Sequence, residues 1–475
     1  MRSLTRTLAA CAASLALLAT FAVNTARSDG PGHDDDDDGD DVVARSDWPM
    51  FGHDPRGTRH NDQAGIGPRD VSRFKVLWRM PTPGAVSGTP AVVGDTVYAG
   101  DTLGNVIALR ARDGRVRWMT HLDGAAFTAS ATVLRGRVVI GDQANGFIYG
   151  LDTETGAVRW KILPNPLGRP AIWGSGTIVG KDVAIGVASN DESADPPFRS
   201  RGSLVLLDPR DGRVRWQTFT VSDADYAKGA SGVSIWTSPV YDEDSDTIYV
   251  GTGNNFTAPA TGNSDAIMAF DARSGAIRWV NQRLPNDIWT IKFPLGPDAD
   301  FGDSPQVYRL RDGRKVVSDG QKNGFFHVLD ARTGVAVTDP PIQFIPGSSL
   351  GGLYTDSAEA DGVVFAPGND LSGDLPKCAL IAIKGDGSGE LWRFETFGLM
   401  ANGVAIGDGV VFFKPSFDPN LYAFDPRTGT KLAAIPVGGS NSGPALAHGR
   451  IFLGTGNILA GFNFNIPGEV VAIGR

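Results

Sequence analysis

Cysteine is almost missing from this chain: 475 residues hold two, Cys11 and Cys378. Cys11 lies in a leader-like stretch expected to be removed, so the mature chain keeps one thiol and no intrachain disulfide in any compartment. No C-x-x-C-H occurs, which excludes covalently attached c-type haem, so a redox role needs an external electron acceptor. Histidine is scarce too, with six. His53, His60 and His327 show no metal-ligand spacing, and His327 sits in an apolar strand as a packed core residue. Basic excess is absent: Lys and Arg number 44 against 53 Asp and Glu, a net charge of -9. Seven of those negatives come from Asp34 to Asp38, Asp40 and Asp41, so the remainder is near neutral and offers no basic face to nucleic acid.

Glycine is abundant, at 61 residues, nearly twice ordinary usage, which favours a turn-rich β protein. Residues 1–26 carry Arg2 and Arg6, an apolar run from Leu8 to Val23 and small residues up to Ala26. That is the layout of a secretory signal peptide, implying a periplasmic or secreted protein with no membrane span after cleavage. Residues 27–46, rich in Gly, Asp and Ser, cannot bury apolar surface and read as a disordered acidic linker. Order is expected to begin near Asp47-Trp48-Pro49.

From there a repeat dominates: VIALRARDGRVRW (106–118), IYGLDTETGAVRW (148–160), LVLLDPRDGRVRW (204–216) and IMAFDARSGAIRW (267–279). Weaker copies run FHVLDARTGVAVT (326–338), LIAIKGDGSGELW (380–392) and LYAFDPRTGTKLA (421–433). Each is an apolar strand, a tight turn and a second, alternating strand. Asp satisfies turn amides, Gly supplies the positive φ, and Trp offers a flat surface to the next copy. Successive Trp slots, at 118, 160, 216, 279, 338, 392 and 433, are 41 to 63 residues apart, which suits four-stranded propeller blades with insertions. An eighth slot, Trp78, has an outer strand but no preceding strand, and the missing strand is EVVAIGR (469–475) at the other end. The fold expected over 47–475 is therefore all-β: an eight-bladed β-propeller, its ring closed by both termini sharing one blade.

The insertions of such a ring gather on one face, around the axis. Here they hold Asn190-Asp191-Glu192, Trp236, Asn254-Asn255, Asp287 and the stretch Asp298 to Asp303. Carboxylate and amide oxygens suit a hard cation such as calcium.

The repeat, with WPMFGHDPRGTR (48–59), SIWTSPVYD (234–242), YVGTGNNFTAP (249–259), QKNGFFHVLD (321–330) and GPALAHGRIFLGTGN (443–457), resembles the pyrroloquinoline quinone (PQQ) dehydrogenases, particularly the polyvinyl alcohol dehydrogenase branch. The resemblance implies a PQQ-dependent oxidoreductase that oxidises an alcohol, small or polymeric, by hydride transfer to calcium-bound PQQ, and passes electrons to an acceptor such as a cytochrome c. It assigns Trp236 to stacking on the quinone, Lys322 and Arg201 to cofactor binding, and Glu192 and Asn254 to the metal. The family's alcohol dehydrogenases place a catalytic Asp after a Trp, where this chain has Trp289-Thr290. Asp300 is the expected substitute base, with Asp298 second. Two further departures are a DPPFRSRG region without the adjacent-cysteine pair of many relatives and Trp173 in place of a small hydroxyl residue. These favour the alternative, a non-catalytic PQQ-like propeller acting as an envelope scaffold or ligand-binding protein, as the outer-membrane assembly propeller shares the repeat without binding a quinone.

Overall fold

The computed structural model describes residues 44–456 and 466–475. The signal peptide expected over 1–26 lies outside the described residues, as does the expected linker up to residue 43. Among the described residues, eight antiparallel sheets follow one another: 91–121, 132–162, 177–219, 240–282, 306–343, 358–397, 405–436 and 445–474, termed blades 1 to 8. Each has its first strand innermost, blades 1 to 7 have their last outermost, and the innermost strands of successive blades touch, blade 8 against blade 1 included. The ring is thus closed. Its seam is the expected one, for Lys75–Thr82 pairs antiparallel with Gly468–Gly474 as the outer strand of blade 8. No helix among the described residues is long and apolar enough to cross a membrane.

The Asp, Gly, Trp spacing has a geometric cause. In blade 2 the Asp152 carboxylate accepts the N–H groups of Glu154 and Thr155, which closes the turn, and Gly156 takes φ 71°. The Trp of the preceding blade lies flat on that glycine: a Cβ at Gly114, Gly156, Gly212, Gly275, Gly334 or Gly429 would stand 2.5–2.7 Å from the ring of Trp78, Trp118, Trp160, Trp216, Trp279 or Trp392. Each indole N–H donates to a carbonyl of the same turn at 2.7–3.1 Å. Thr338 keeps the hydrogen bond without the ring, donating to Asp386 O at 2.6 Å. Ala433 has nothing to cover, because the outer two strands of blade 8 come from opposite ends of the chain and no turn joins them.

The apolar core is divided into layers between blades. Tyr98, Val106 and Trp118 of blade 1 meet Val138, Ile140 and Tyr149 of blade 2, and similar buried sets separate the later blades. Each such side chain contributes about 1.5–3 kcal/mol on burial.

The axis is built differently. Residues 48–64, noted in the sequence only for their resemblance, run as a belt around it. Trp48 exchanges hydrogen bonds with Val92 of blade 1, and Pro49 O, Pro55 O, Arg56 O, Thr58 O and Arg59 O accept N–H groups from Val133, Tyr241, Val307, Glu359 and Ile406. Met50 Sδ accepts from Ile178, and Ala64 O accepts from Gly449. The belt therefore holds all eight blades in turn. Above it runs a ring of hydroxyls. Ser130, Ser175 and Ser238 each donate N–H to the Oγ of the next, ending on Ser304, which donates to Asp356 Oδ1. Where blades 7 and 8 carry Gly403 and Gly443 instead, the buried Arg59 guanidinium fills the space, and a Cβ at either glycine would stand 2.6–2.7 Å from it.

Candidate functional site

Within each blade the chain enters the innermost strand, and reverses between the second and third strands, on the same face. Trp236 leads into blade 4 and Asn254 follows its second strand, while Asp298 and Asp300 lead into blade 5 and Lys322 follows its second strand. Glu192 follows the second strand of blade 3. Topology alone brings the expected residues to one face, opposite the Asp-x-x-x-Gly turns.

Lys322 is the centre of the site. Its ammonium is buried and donates to Asp298 Oδ1 at 2.7 Å and to Asp300 Oδ2 at 3.0 Å. It stands 5.3 Å from the centre of the half-buried Trp236 indole and 5.9 Å from that of Trp289, within cation–π range. Asp300 is fixed from two further sides: its Oδ1 accepts the Asn254 N–H at 2.7 Å and its carbonyl accepts the Lys322 N–H at 3.0 Å. Gly253 makes that approach possible, because a Cβ there would meet the Asp300 carboxylate at 3.1 Å. Asn254 donates both amide protons, to Asn255 O and Trp289 O at 2.7 Å each, which leaves Oδ1 as its remaining acceptor.

Negative charge is in surplus. Glu192, Asp265, Asp287, Asp298 and Asp300 all act electrostatically on one another or on Lys322, the one cation in the group. Burial alone would lower Lys322, but Asp300, Asp298 and Glu192 outweigh it and hold the ammonium well above its ordinary value. One ammonium cannot neutralise the surrounding carboxyls, so the surplus ones take protons. Burial pushes Asp298 up to about 8 against the pull of Lys322, with Asp300 and Glu192 adding to the rise. Burial likewise pushes Glu192 up to about 7, Lys322 opposing and Asp300 adding. Asp265 is displaced well upward by burial and then by Asp300 and Asp287, and neither of its oxygens has a hydrogen-bond partner among the described residues.

Arg201 and Thr290 make their contacts with other groups. The Arg201 guanidinium donates to Val221 O at 3.1 Å and Asp223 Oδ1 at 2.6 Å, and lies over the Phe219 ring at 3.9 Å. Thr290 is buried in its own loop, where its Oγ accepts the Phe293 N–H at 3.2 Å. Trp173 is 37% exposed at the surface. His327 is a core residue as expected, its Nε2 2.9 Å from Gln321 Oε1. Sequence reasoning missed Asp265 and Trp289. The signal for Asp265 was a charged residue at the head of the apolar strand AIMAFD, whereas Trp289 had been read only as a landmark beside Thr290.

The family model described as outer membrane protein assembly factor BamB (PQQ_2) matches residues 72–337, more than half of the chain. The chain belongs to the PQQ_2 propeller family. The polyvinylalcohol dehydrogenase of Sphingopyxis sp. (strain 113P3) is 28% identical across 89% of this chain and 72% of its own length. That of Pseudomonas sp is 27% identical across 88% and 74%. The structure of quinohemoprotein alcohol dehydrogenase ADHIIG from Pseudomonas putida HK5 superposes with a TM-score of 0.77 over 90% of this chain and 80% of that one, at 18% identity. BamB from Moraxella catarrhalis, at 15% identity, reaches 0.56 over 84% and 99%. These structural likenesses establish the PQQ_2 propeller; the chemistry rests on the site.

The residues of this PQQ_2 chain fit a planar, electron-poor cofactor and a hard cation. The Trp236 indole N–H is buried with no partner among the described residues, its ring lies beside a fixed ammonium, and the carboxyls are short of positive charge. No three His, Cys, Asp or Glu side chains among the described residues converge as a ready-made metal cage. A cation there would draw on the Asn254 amide oxygen and on Glu192 together.

Proposed function

We propose that this protein is an extracytoplasmic oxidoreductase that oxidises an alcohol with PQQ as electron acceptor. The observation that carries the reading is the buried Lys322 ammonium, clamped by Asp298 and Asp300, 5.3 Å from the Trp236 ring on the insertion-bearing face. When bound, PQQ supplies an electrophilic ortho-quinone carbonyl that accepts the hydride. Trp236 would give it a flat face, and Lys322 would supply positive charge to favour the reduced form. Asn254 Oδ1 and Glu192 would hold a hard cation, for which calcium is the proposal. Asp298 is the proton acceptor for the substrate hydroxyl: Lys322 holds its Oδ1 alone, and a cation bound nearby would favour the ionised form that burial opposes. Asp300 is occupied on both oxygens by Asn254 N–H and Lys322 and is a positioning residue, which reverses the order expected from sequence. Electrons leave to an external acceptor such as a cytochrome c, and Arg201 is left as a structural residue outside the cofactor site.

The scaffold reading keeps one observation in its favour, the Thr290 hydroxyl turned into its own loop. Purified protein incubated with PQQ and calcium, then desalted, separates the two. The enzyme reading expects retained quinone absorbance and alcohol-dependent dye reduction, with both lost in Trp236→Ala and Lys322→Met. Wild-type protein that retains no quinone and reduces no dye with any alcohol sinks it.

A further inference from the structure

The segment that replaces the family's carboxylate, Trp289 to Leu295, is apolar where a surface loop is ordinarily polar. Ile291 and Phe293 are 43% and 46% exposed. The loop is nonetheless rigidly joined to the site. Trp289 N–H donates to Asn255 O at 2.9 Å, Trp289 O accepts the Asn254 amide, and Ile291 N–H donates to Glu192 O at 3.1 Å. Lys292 closes the outer side on Asp195 at 2.7 Å. Phe293 stands edge-on to Phe198 at 6.2 Å, and Phe198 edge-on to the buried Phe256 at 6.3 Å, so an aromatic ladder backs the loop.

Loop residues that are both apolar and held in place by the neighbours of the proposed metal ligands form a prepared surface. We infer that Trp289, Ile291 and Phe293 are the specificity wall of the substrate entrance, receiving the alkyl portion of the alcohol while its hydroxyl reaches Asp298. This rests on the proposed function and narrows its substrate class to alcohols bearing a chain of several carbons. Such a wall gains from each methylene it covers, at most about four-fold in affinity per methylene.

The test is a ladder of primary alcohols from ethanol to 1-hexanol on the PQQ- and calcium-loaded protein, with saturation-transfer NMR of the same alcohols as a measurement without turnover. Wild type is expected to show kcat/KM and NMR binding rising two- to four-fold per methylene. Ile291→Ser/Phe293→Ser, changed at exposed positions, is expected to flatten both slopes. Phe417→Ser, exposed on blade 7, is expected to keep them. A flat slope in active wild type, or an unchanged slope in the double variant, overturns the wall alone. A rising NMR slope without oxidation of any alcohol overturns the proposed reaction and leaves the wall standing.

Discussion

Replacing Asp303 by Asn should change stability in a strongly pH-dependent way. Asp303 is fully buried beneath the site, its Oδ1 accepting Ser357 N–H at 2.8 Å and its Oδ2 the Ser357 hydroxyl at 2.5 Å. Burial, then Asp356, pushes its carboxyl up to about 8 from an ordinary 3.8. The folded protein thus favours the protonated form. Its contribution is intact below the unfolded value, falls as pH rises from about 4 to about 8, and changes no further above that. At about 1.4 kcal/mol per pH unit, wild type loses about 3 kcal/mol from this one group between pH 5.5 and 8.5. Asn carries no charge at either pH, and it can accept from Ser357 N–H while donating to the Ser357 hydroxyl. With an unfolding entropy of about 2 cal/mol/K per residue over the ordered ring, 3 kcal/mol corresponds to about 3 °C. Differential scanning calorimetry should therefore find Asp303→Asn gaining about 3 °C on wild type when the pH moves from 5.5 to 8.5. An equal difference at both pH values, or one that shifts against the variant at pH 8.5, would refute the buried-carboxyl account.

Two further predictions concern the scaffold. Gly275→Ala should cost at least about 2 kcal/mol in urea unfolding, since φ is 73° and the new Cβ would stand 2.5 Å from the Trp216 ring, whereas Gly94→Ala, at φ 55° with open space, should cost about 1 kcal/mol. Arg59→Met should lose about 3–5 kcal/mol, because the buried Asp356 is left without its cation, and Arg59→Lys should not restore it, having no fork to reach both Val404 O and Phe51 O. A variant as stable as wild type in thermal unfolding would remove Arg59 from the closure of the axis.

The ring was legible in the sequence because its signal is repeated. Asp, Gly and Trp recur at fixed offsets for a local reason, each Trp lying on the next turn's glycine, and Trp78 without its partner strand revealed the seam. The candidate site was legible in its grouping, with Trp236, Asn254, Lys322, Glu192, Asp298 and Asp300 all on one face. It was not legible in its roles. Asp298 and Asp300 stand two residues apart with the same side chain, and only the three-dimensional contacts show that Asn254 and Lys322 occupy Asp300. The contacts of Arg201 were not legible either, as a following glycine says nothing of where a guanidinium points. The belt and the hydroxyl ring escaped because their hydrogen bonds use main-chain atoms or small hydroxyls that leave only a faint pattern. That pattern exists: Thr89-Pro90, Ser130-Ala131, Ser238-Pro239, Ser304-Pro305 and Ser357-Ala358 all stand before inner strands.

The balance between scaffold and enzyme can be argued from where stability resides. The interblade layers and Trp–Gly contacts hold the ring without help from the Lys322 cluster, and the belt and Arg59 close the axis. Five carboxyls around one ammonium add nothing to that: apolar residues of similar volume commonly serve a fold as well or better than buried ions. A propeller whose duty was only to present blade surfaces would gain by losing Asp265, whose two oxygens have no partner among the described residues, and by replacing the buried Asp298 with an apolar residue. Local rules are broken at sites where chemistry requires it. Here the breach is confined to the one face on which Trp236 offers its ring, and a surplus of negative charge there calls for a cation and a proton acceptor, the two needs of alcohol oxidation.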